Sequence, residues 1–535
     1  MRSTIAALVT ACLMSSMTAA AGAAVEPKIV DPIVVESFDG TPIVATLMLP
    51  AGASRRNRVP VVFQTHGWGG TREQSPGGFT GRLLDNGYAV LTWDSRGFGD
   101  SGGEANVDSP EFEVRDAQAL IDFVATRPEI LTDAPGDPRM GWIGGSYAGG
   151  IQLNTAAVDS RPDAIIPEIA WADLVQDLYP NRVVKKTWDQ LLYASGAATA
   201  AGEGLDSPAG PQSGVYAQEI HRAEAIGTAT GEFPEDIEKW FAARSTIINT
   251  PKITAPTMII QGTVDTLFPL EDAFAHYKIL KRNRVPVKLV TYCAGHTLGC
   301  SYPGGASGYP EDEGSERPPL YEDRKLAWLD RYVKGLSAPT GAEVEWQAQD
   351  GHYYGAGRYP LRGTRMVAAK PMETDTLVGP GATGGDGPAD GNPAPGFELG
   401  GSAARAVILG ARMKDTPIVG VPRVRLTGEA TGVTAFAFFE LVDEAPDGTL
   451  TTVDDQTMPI RLSSGEVKQT LDLHGVSWLL EPGHKLLLEV TTGSTQYDIP
   501  RTGPYAVSLK AVTKLPLARA RGDLEPVRAR GSHHG

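Results

Sequence analysis

Met140-Gly-Trp-Ile143-Gly-Gly-Ser146-Tyr-Ala-Gly149 is the stretch whose reading decides the fold. Met140 to Ile143 is a short apolar run of the kind that forms a strand buried on both faces. A helical pattern, Tyr147 to Val158, begins almost at once. Only Gly144, Gly145 and Ser146 lie between them. Small residues on both sides of a serine permit the sharp strand-to-helix turn that lifts a hydroxyl above a sheet. The strict G-x-S-x-G spacing is not met, because Ala148 stands where its last glycine would be. A methyl group is small enough for the turn, so the departure is mild.

Working outward, the same alternation recurs. Apolar runs at Val59–Phe63, Ala89–Trp93, Ala164–Ala170, Thr257–Ile260 and Val287–Val290 predict further strands. Helical patterns at Phe79–Asn86, Glu113–Arg127, Leu270–Arg282 and Tyr321–Lys334 fall between or after them. Strand and helix in alternation predict a doubly wound α/β sheet. Ile33 to Leu49 adds a hairpin turning at Asp39-Gly40. The stretch 174–250 interrupts the alternation with Ala- and Glu-rich helical sequence and reads as a cap inserted over the sheet. After the turn-rich Gly335–Gly341, helical periods cease. Short alternating runs at Ala406–Leu409, Arg423–Leu426, Thr434–Leu441, Met458–Leu462, Val476–Leu480, Lys485–Val490 and Ala506–Val512 predict an all-β sandwich or jelly roll. Gly379 to Gly396 reads as a surface loop. The expected layout is an export signal over 1–23, an α/β domain over 24–342, a β-sandwich over 343–514 and a disordered tail over 515–535.

The export signal rests on Arg2, the uncharged apolar stretch Ile5–Met17 and the small-residue Ala21-Gly22-Ala23 cleavage pattern. A secreted or periplasmic location follows. A lipid anchor at Cys12 ranks below it, because the apolar run before that cysteine is very short.

A serine nucleophile at neutral pH needs a base, and the base needs an orienting carboxylate. In α/β folds of this kind the order is Ser, acid, His, each after a strand. Asp265, in Gly262-Thr-Val-Asp265, follows the strand Thr257–Ile260, and His296 follows the strand Val287–Val290. His66 precedes Ser146 and breaks the order, and Glu271 opens a helix whose dipole explains it. Two backbone N–H groups must receive the oxyanion. Tyr147 supplies one. The other comes from His66-Gly67-Trp68-Gly69-Gly70, with Trp68 preferred and Gly67 as its alternative. Arg96, in a glycine-rich loop, reads as a pin that bonds loop carbonyls or Asp94.

The residues Gly144–Gly149 resemble the X-prolyl dipeptidyl-peptidase and cocaine esterase family of serine hydrolases. So do Asp94-Ser-Arg96-Gly97-Phe-Gly99-Asp-Ser101-Gly-Gly103, Gly262–Phe268, Gly295-His296 and the strand Leu480–Leu488. Membership would imply an α/β-hydrolase domain with a helical cap, a C-terminal jelly roll packed beside the site, and hydrolysis of acyl esters or amides through an acyl-enzyme. Several members of that family use a tyrosine hydroxyl where this chain has Trp68, so that donor is not carried over.

Composition narrows the partners. Lys and Arg number 48 against 64 Asp and Glu, a net charge of −16. That balance disfavours nucleic acid and anionic membranes, which need a basic footprint. Three cysteines exclude a multi-cysteine metal centre, and neither metal nor other cofactor is expected. No apolar run after the N-terminus reaches membrane-spanning length. Cys293 and Cys300 bracket His296 and, after export, are an even pair expected to form a disulfide.

The function expected is a secreted serine hydrolase acting on small esters, amides or short peptides. An X-Pro-type dipeptidyl aminopeptidase is the narrower alternative, and a catalytically silent binding protein using the jelly roll is the third. For a peptidase, Asp173, Asp177 and Glu203 are candidates for holding a substrate amine, with solvated or helix-capping roles as the competing reading. Substrate identity and oligomeric state are not legible.

Overall fold

The computed structural model describes residues 26–203, 216–296, 320–349, 351–379, 402–497, 503–518 and 525–526. The expected signal 1–23, nearly all of the loop 379–396 and most of the expected tail lie outside them. The first half runs β1 (Lys28–Glu36), β2 (Pro42–Leu49), β3 (Val61–Thr65), α1 (Gly78–Asp85), β4 (Ala89–Trp93) and α2 (Glu113–Ala125). A small hairpin, β5 (Thr132–Ala134) and β6 (Asp137–Pro138), leads to β7 (Met140–Gly145), α3 (Tyr147–Ala156) and β8 (Pro162–Glu168). Helices α4 (Leu174–Leu178), α5 (Lys186–Glu203), α6 (Gln218–Thr230) and α7 (Glu235–Ala242) intervene, where the cap is expected. The sheet resumes with β9 (Thr257–Gly262), α8 (Leu270–Arg282), β10 (Val287–Tyr292), α9 (Leu320–Tyr332), β11 (Val344–Gln347) and β12 (Tyr353–Ala356).

The strand order is β1-β2-β4-β3-β7-β8-β9-β10-β11-β12. Pairs from β4 through β11 are parallel, and the chain reverses direction across the sheet between β3 and β7. Loops at the carboxyl ends of β3 and β7 therefore diverge and leave a crevice, the usual ligand position in such sheets. The apolar runs are buried on both faces because helices cover both. Leu120, Ile121, Ile151, Phe274 and Leu280 of α2, α3 and α8 join one core, and Leu83, Leu84, Trp328 and Leu329 of α1 and α9 join the other. Helix α3 is buried along its whole length, as a central helix without a polar face must be.

The second half is β13 (Arg365–Ala368), β14 (Met372–Glu373), β15 (Leu377–Gly379), β16 (Ala403–Leu409), β17 (Thr416–Gly420), β18 (Arg423–Glu444), β19 (Leu450–Asp472), β20 (Val476–Leu480), β21 (Lys485–Thr491) and β22 (Tyr505–Leu517). They form one antiparallel ten-stranded sheet wrapped round its own core, led by Phe436, Phe438, Trp478 and Leu488. The α/β-plus-all-β architecture holds. Arg423–Leu426 and Thr434–Leu441, expected as separate strands, are parts of β18, and Met458–Leu462 is part of β19. Irregularities between Ala430 and Thr434 and between Glu440 and Val442 break the alternation without ending the ladder.

Two expected boundaries shift. Residues Val344–Gln347 and Tyr353–Ala356, assigned to the sandwich by the 342/343 boundary, extend the first sheet as β11 and β12. The expected tail begins too early, since Leu515–Leu517 finish β22. A further strand, β23 (Glu525–Pro526), pairs with β12, so these two residues of the expected tail join the first sheet.

Candidate active site

Ser146 sits at the carboxyl end of β7 with φ 57° and ψ −121°, a positive-φ conformation that a non-glycine residue adopts at a cost of about 1–3 kcal/mol. Fixed bonds hold it there. Its N–H donates to the Glu168 carbonyl at 2.9 Å, and its carbonyl accepts from Gly149 at 2.8 Å and Gly150 at 3.0 Å. The backbone is thereby committed, and the half-buried side chain opens on a pocket under the cap.

Asp265 and His296 meet after β9 and β10. Asp265 is fully buried. Its Oδ1 accepts the N–H groups of Leu267 and Phe268, both at 3.0 Å, and its Oδ2 stands 2.7 Å from His296 Nδ1. A carboxylate only accepts, so the proton of a neutral ring belongs on Nδ1 and Nε2 keeps a free lone pair. Nε2 is buried and has no hydrogen-bond partner. The ring is gripped edge-on by Phe268 at 5.0 Å and Trp188 at 5.9 Å between centroids. Close approach of the two loops requires glycine twice. A Cβ on Gly295, at φ +153°, would collide with the Asp265 side chain, and one on Gly262 with the Ala294 carbonyl.

The two expected oxyanion donors border Ser146. Tyr147 is the first residue of α3, where an N–H has no acceptor within its own helix. A Cβ on Gly67 would stand 3.9 Å from the Ser146 Cβ, which puts the loop after β3 beside the hydroxyl. The Trp68 indole N–H is committed elsewhere, donating to the Leu192 carbonyl of the cap at 2.8 Å, so only the backbone of this residue can serve. Tyr147 is fixed by its phenol, which donates to Glu113 Oε1 at 3.2 Å. Burial pushes the Glu113 carboxyl up to about 7, and burial together with Glu113 pushes Asp108 well above the carboxylate range.

The pocket over Ser146 is apolar near the hydroxyl, with Trp68, Tyr147, Trp171, Leu174, Phe233 and Phe268 among its walls. Asp189 of α5 and Glu224 of α6 also line it. Asp189 is half-buried, its Oδ2 is shut off from solvent with no hydrogen-bond partner, and burial pushes its carboxyl well above the usual range. Sequence reasoning missed both residues. No motif marks them, because the pocket is assembled from cap helices far apart in the chain. Of the carboxylates named from the sequence, Asp173 and Asp177 do not line it, and the capping role expected as their competing reading is met at Asp173. Asp173 caps α4 by accepting from Val175 and Gln176, Asp177 adjoins Asp272, and the side chain of Glu203 lies outside the described residues.

Other expectations resolve as structure. Arg96 is a pin, but on Asp116 rather than Asp94: Nε and Nη2 each reach that carboxylate at 2.6 Å. Asp94 serves Arg72 instead. Glu271 accepts from Gly475 at 2.6 Å and stands 2.7 Å from His474 Nδ1, so it joins the two domains as well as opening α8. His66 Nε2 accepts the N–H of Ser95 at 3.0 Å. Cys293 is disulfide-bonded, and Cys300, its expected partner, lies outside the described residues. Among the described residues no His, Cys, Asp and Glu cluster could hold a metal, and no helix is long and apolar enough to cross a membrane.

Residues 39–298 match the family described as X-Pro dipeptidyl-peptidase (S15 family). An uncharacterised protein of Pseudomonas aeruginosa is 33% identical over 128 residues, 24% of this chain and 33% of that protein. The chain spans about a third to a half of the length of the curated relatives it matches. Among solved structures, an aminopeptidase from the marine sediment archaeon Thaumarchaeota archaeon superposes with a TM-score of 0.66 at 14% identity, covering 95% of this chain and 99% of the other. A CocE/NonD family hydrolase from Staphylococcus aureus gives 0.63 at 14% identity over 92% and 94%. At such identities the likeness is one of fold, and it extends over both halves of the chain.

Proposed function

We propose that this chain, whose residues 39–298 match the family described as X-Pro dipeptidyl-peptidase (S15 family), is a serine hydrolase that cleaves acyl esters or amides with Ser146 as nucleophile, His296 as base and Asp265 as orienting acid. The observation that carries the assignment is the buried Asp265–His296 pair, whose Nε2 has a lone pair and no partner, in a fold that sets Ser146 on a strained turn at the same edge of the sheet. No bond joins Ser146 to Nε2 in the free enzyme, and such contacts often tighten only with substrate present. Ser146 Oγ attacks the substrate carbonyl while His296 Nε2 takes its proton. The oxyanion forms against the N–H groups of Tyr147 and Trp68. The imidazolium then returns the proton to the departing alcohol or amine, leaving an acyl-enzyme that water hydrolyses by the same steps.

The apolar walls next to Ser146 favour an acyl group with a hydrophobic body. An aminopeptidase reading gains support from Asp189 and Glu224, two acidic side chains on the wall of the pocket that also holds Ser146. Export to the periplasm or beyond is part of the proposal. It is supported by the N-terminal charge, apolar run and small-residue pattern, and by a disulfide-bonded Cys293, which suits an oxidising compartment. Cys300 is the proposed partner. A panel of p-nitrophenyl esters run beside Ala-Pro and Gly-Pro anilides tests the substrate class. Turnover of esters with apolar acyl chains above acetate supports the ester reading. Preference for the anilides moves the assignment to the aminopeptidase. Inertness towards both would refute the proposal.

A further inference from the structure

Lys185, the residue before α5, is wholly buried. Its Nζ donates to the Thr266 carbonyl at 2.9 Å and the Leu267 carbonyl at 3.1 Å. These belong to the turn that follows Asp265, and the N–H of Leu267 is one of the two that hold Asp265 Oδ1. The same turn is tied to α5 a second time, by the Trp188 indole N–H on Thr266 Oγ1 at 2.9 Å. A buried amine is costly unless its hydrogen bonds are made, and a methionine would fill the same volume without that cost. The bonds to the two carbonyls are therefore what the amine adds at this position.

The charge around it is arranged to tolerate the amine. Asp177 of α4 and Asp272 of α8 are nearly fully buried and adjoin each other. Burial pushes both carboxyls well above their usual range, and the attraction of Lys185 pulls Asp177 back towards its charged form. Burial also pushes the Lys185 amine down, against the pull of Asp177. Either protonation state leaves Nζ with the two protons that its two carbonyls need.

We propose that Lys185 is a positioning residue for the Asp265 carboxylate: from the cap, it fixes the turn that aims Asp265 at His296 Nδ1. The inference rests on the reading of Asp265 as the acid of the site. It makes the cap part of the catalytic frame rather than a cover over the pocket. Small displacements of such a frame cost large factors in rate.

A double-mutant cycle separates positioning from mere support. Lys185→Met should lower kcat about ten- to a hundredfold on a p-nitrophenyl ester with KM held within about twofold. In an Asp265→Asn background, where no carboxylate remains to be aimed, the same change should cost less than about twofold. Equal losses in both backgrounds, or an unchanged kcat in the first, would overturn the proposal. Should Lys185→Met fail to fold, Lys185→Gln keeps an N–H donor group on a shorter, uncharged side chain and should show the same pattern with a smaller loss; equal losses there overturn it too. An Asp265→Asn enzyme with undiminished activity would instead refute the acid assignment, and the role of Lys185 with it.

Discussion

The two halves of the site are built differently. The half that carries the proposed nucleophile, Ser146 with the loop after β3, is positioned mainly from within the α/β sheet, where β7, α3 and the Glu168 carbonyl set the turn. The acid–base half is held by parts of the chain far away. Lys185 and Trp188 reach the Asp265 turn from the cap, and Gln456 of β19 donates to the Asp265 carbonyl at 2.9 Å. Val264 and Cys293, neighbours of that half, pack into the core of the all-β sheet. One half is a local motif, and the other is a tertiary assembly that the second domain completes.

The largest expected effect tests the local half. Ser146→Ala should lower kcat by on the order of 10⁴-fold or more while far-UV circular dichroism and Tm stay close to wild type, because the hydroxyl is poised over a pocket and makes little core. More than a tenth of the activity remaining would place the nucleophile elsewhere.

An intermediate effect tests the assembled half. Gln456→Leu leaves the buried Asp265 carbonyl without its donor, a loss of about 1–2 kcal/mol. Part of that should appear as a fall in kcat of about three- to tenfold, measured under substrate saturation, with the rest as a lower Tm. Full activity with only a lower Tm would show that the all-β domain supports the fold and not the site.

The smallest effect concerns the disulfide beside His296. Added reductant should lower kcat a few-fold while moving Tm by no more than a few degrees, since a short loop contributes little chain entropy. Equal free-thiol labelling of Cys293 and Cys300 in unreduced secreted protein would end the proposed pairing.

The same division explains what the sequence disclosed. Ser146, Asp265 and His296 each follow an apolar run and lie in short glycine-bearing motifs, so local pattern was enough to single them out, and the structure brings Asp265 and His296 together. Lys185, Gln456, Asp189 and Glu224 carry no such mark. Each matters through a partner brought close only by folding: Gln456 lies 191 residues from Asp265. Strand lengths in the all-β half were misread for a related reason. Irregular ladder positions in β18 disturb alternation, which is the only signal a single sequence offers there. The return of residues 344–356 to the first sheet was equally invisible, because short strands at a sheet edge look the same whichever sheet they join.

The central claim is that Ser146 is activated by His296 and Asp265 in the folded chain. Incubating folded protein with a fluorophosphonate probe and mapping the adduct by peptide mass spectrometry tests it most directly. The account predicts one adduct, on Ser146, formed much more slowly in a His296→Ala variant. A folded protein that takes no label, or takes it on another residue, would contradict the account.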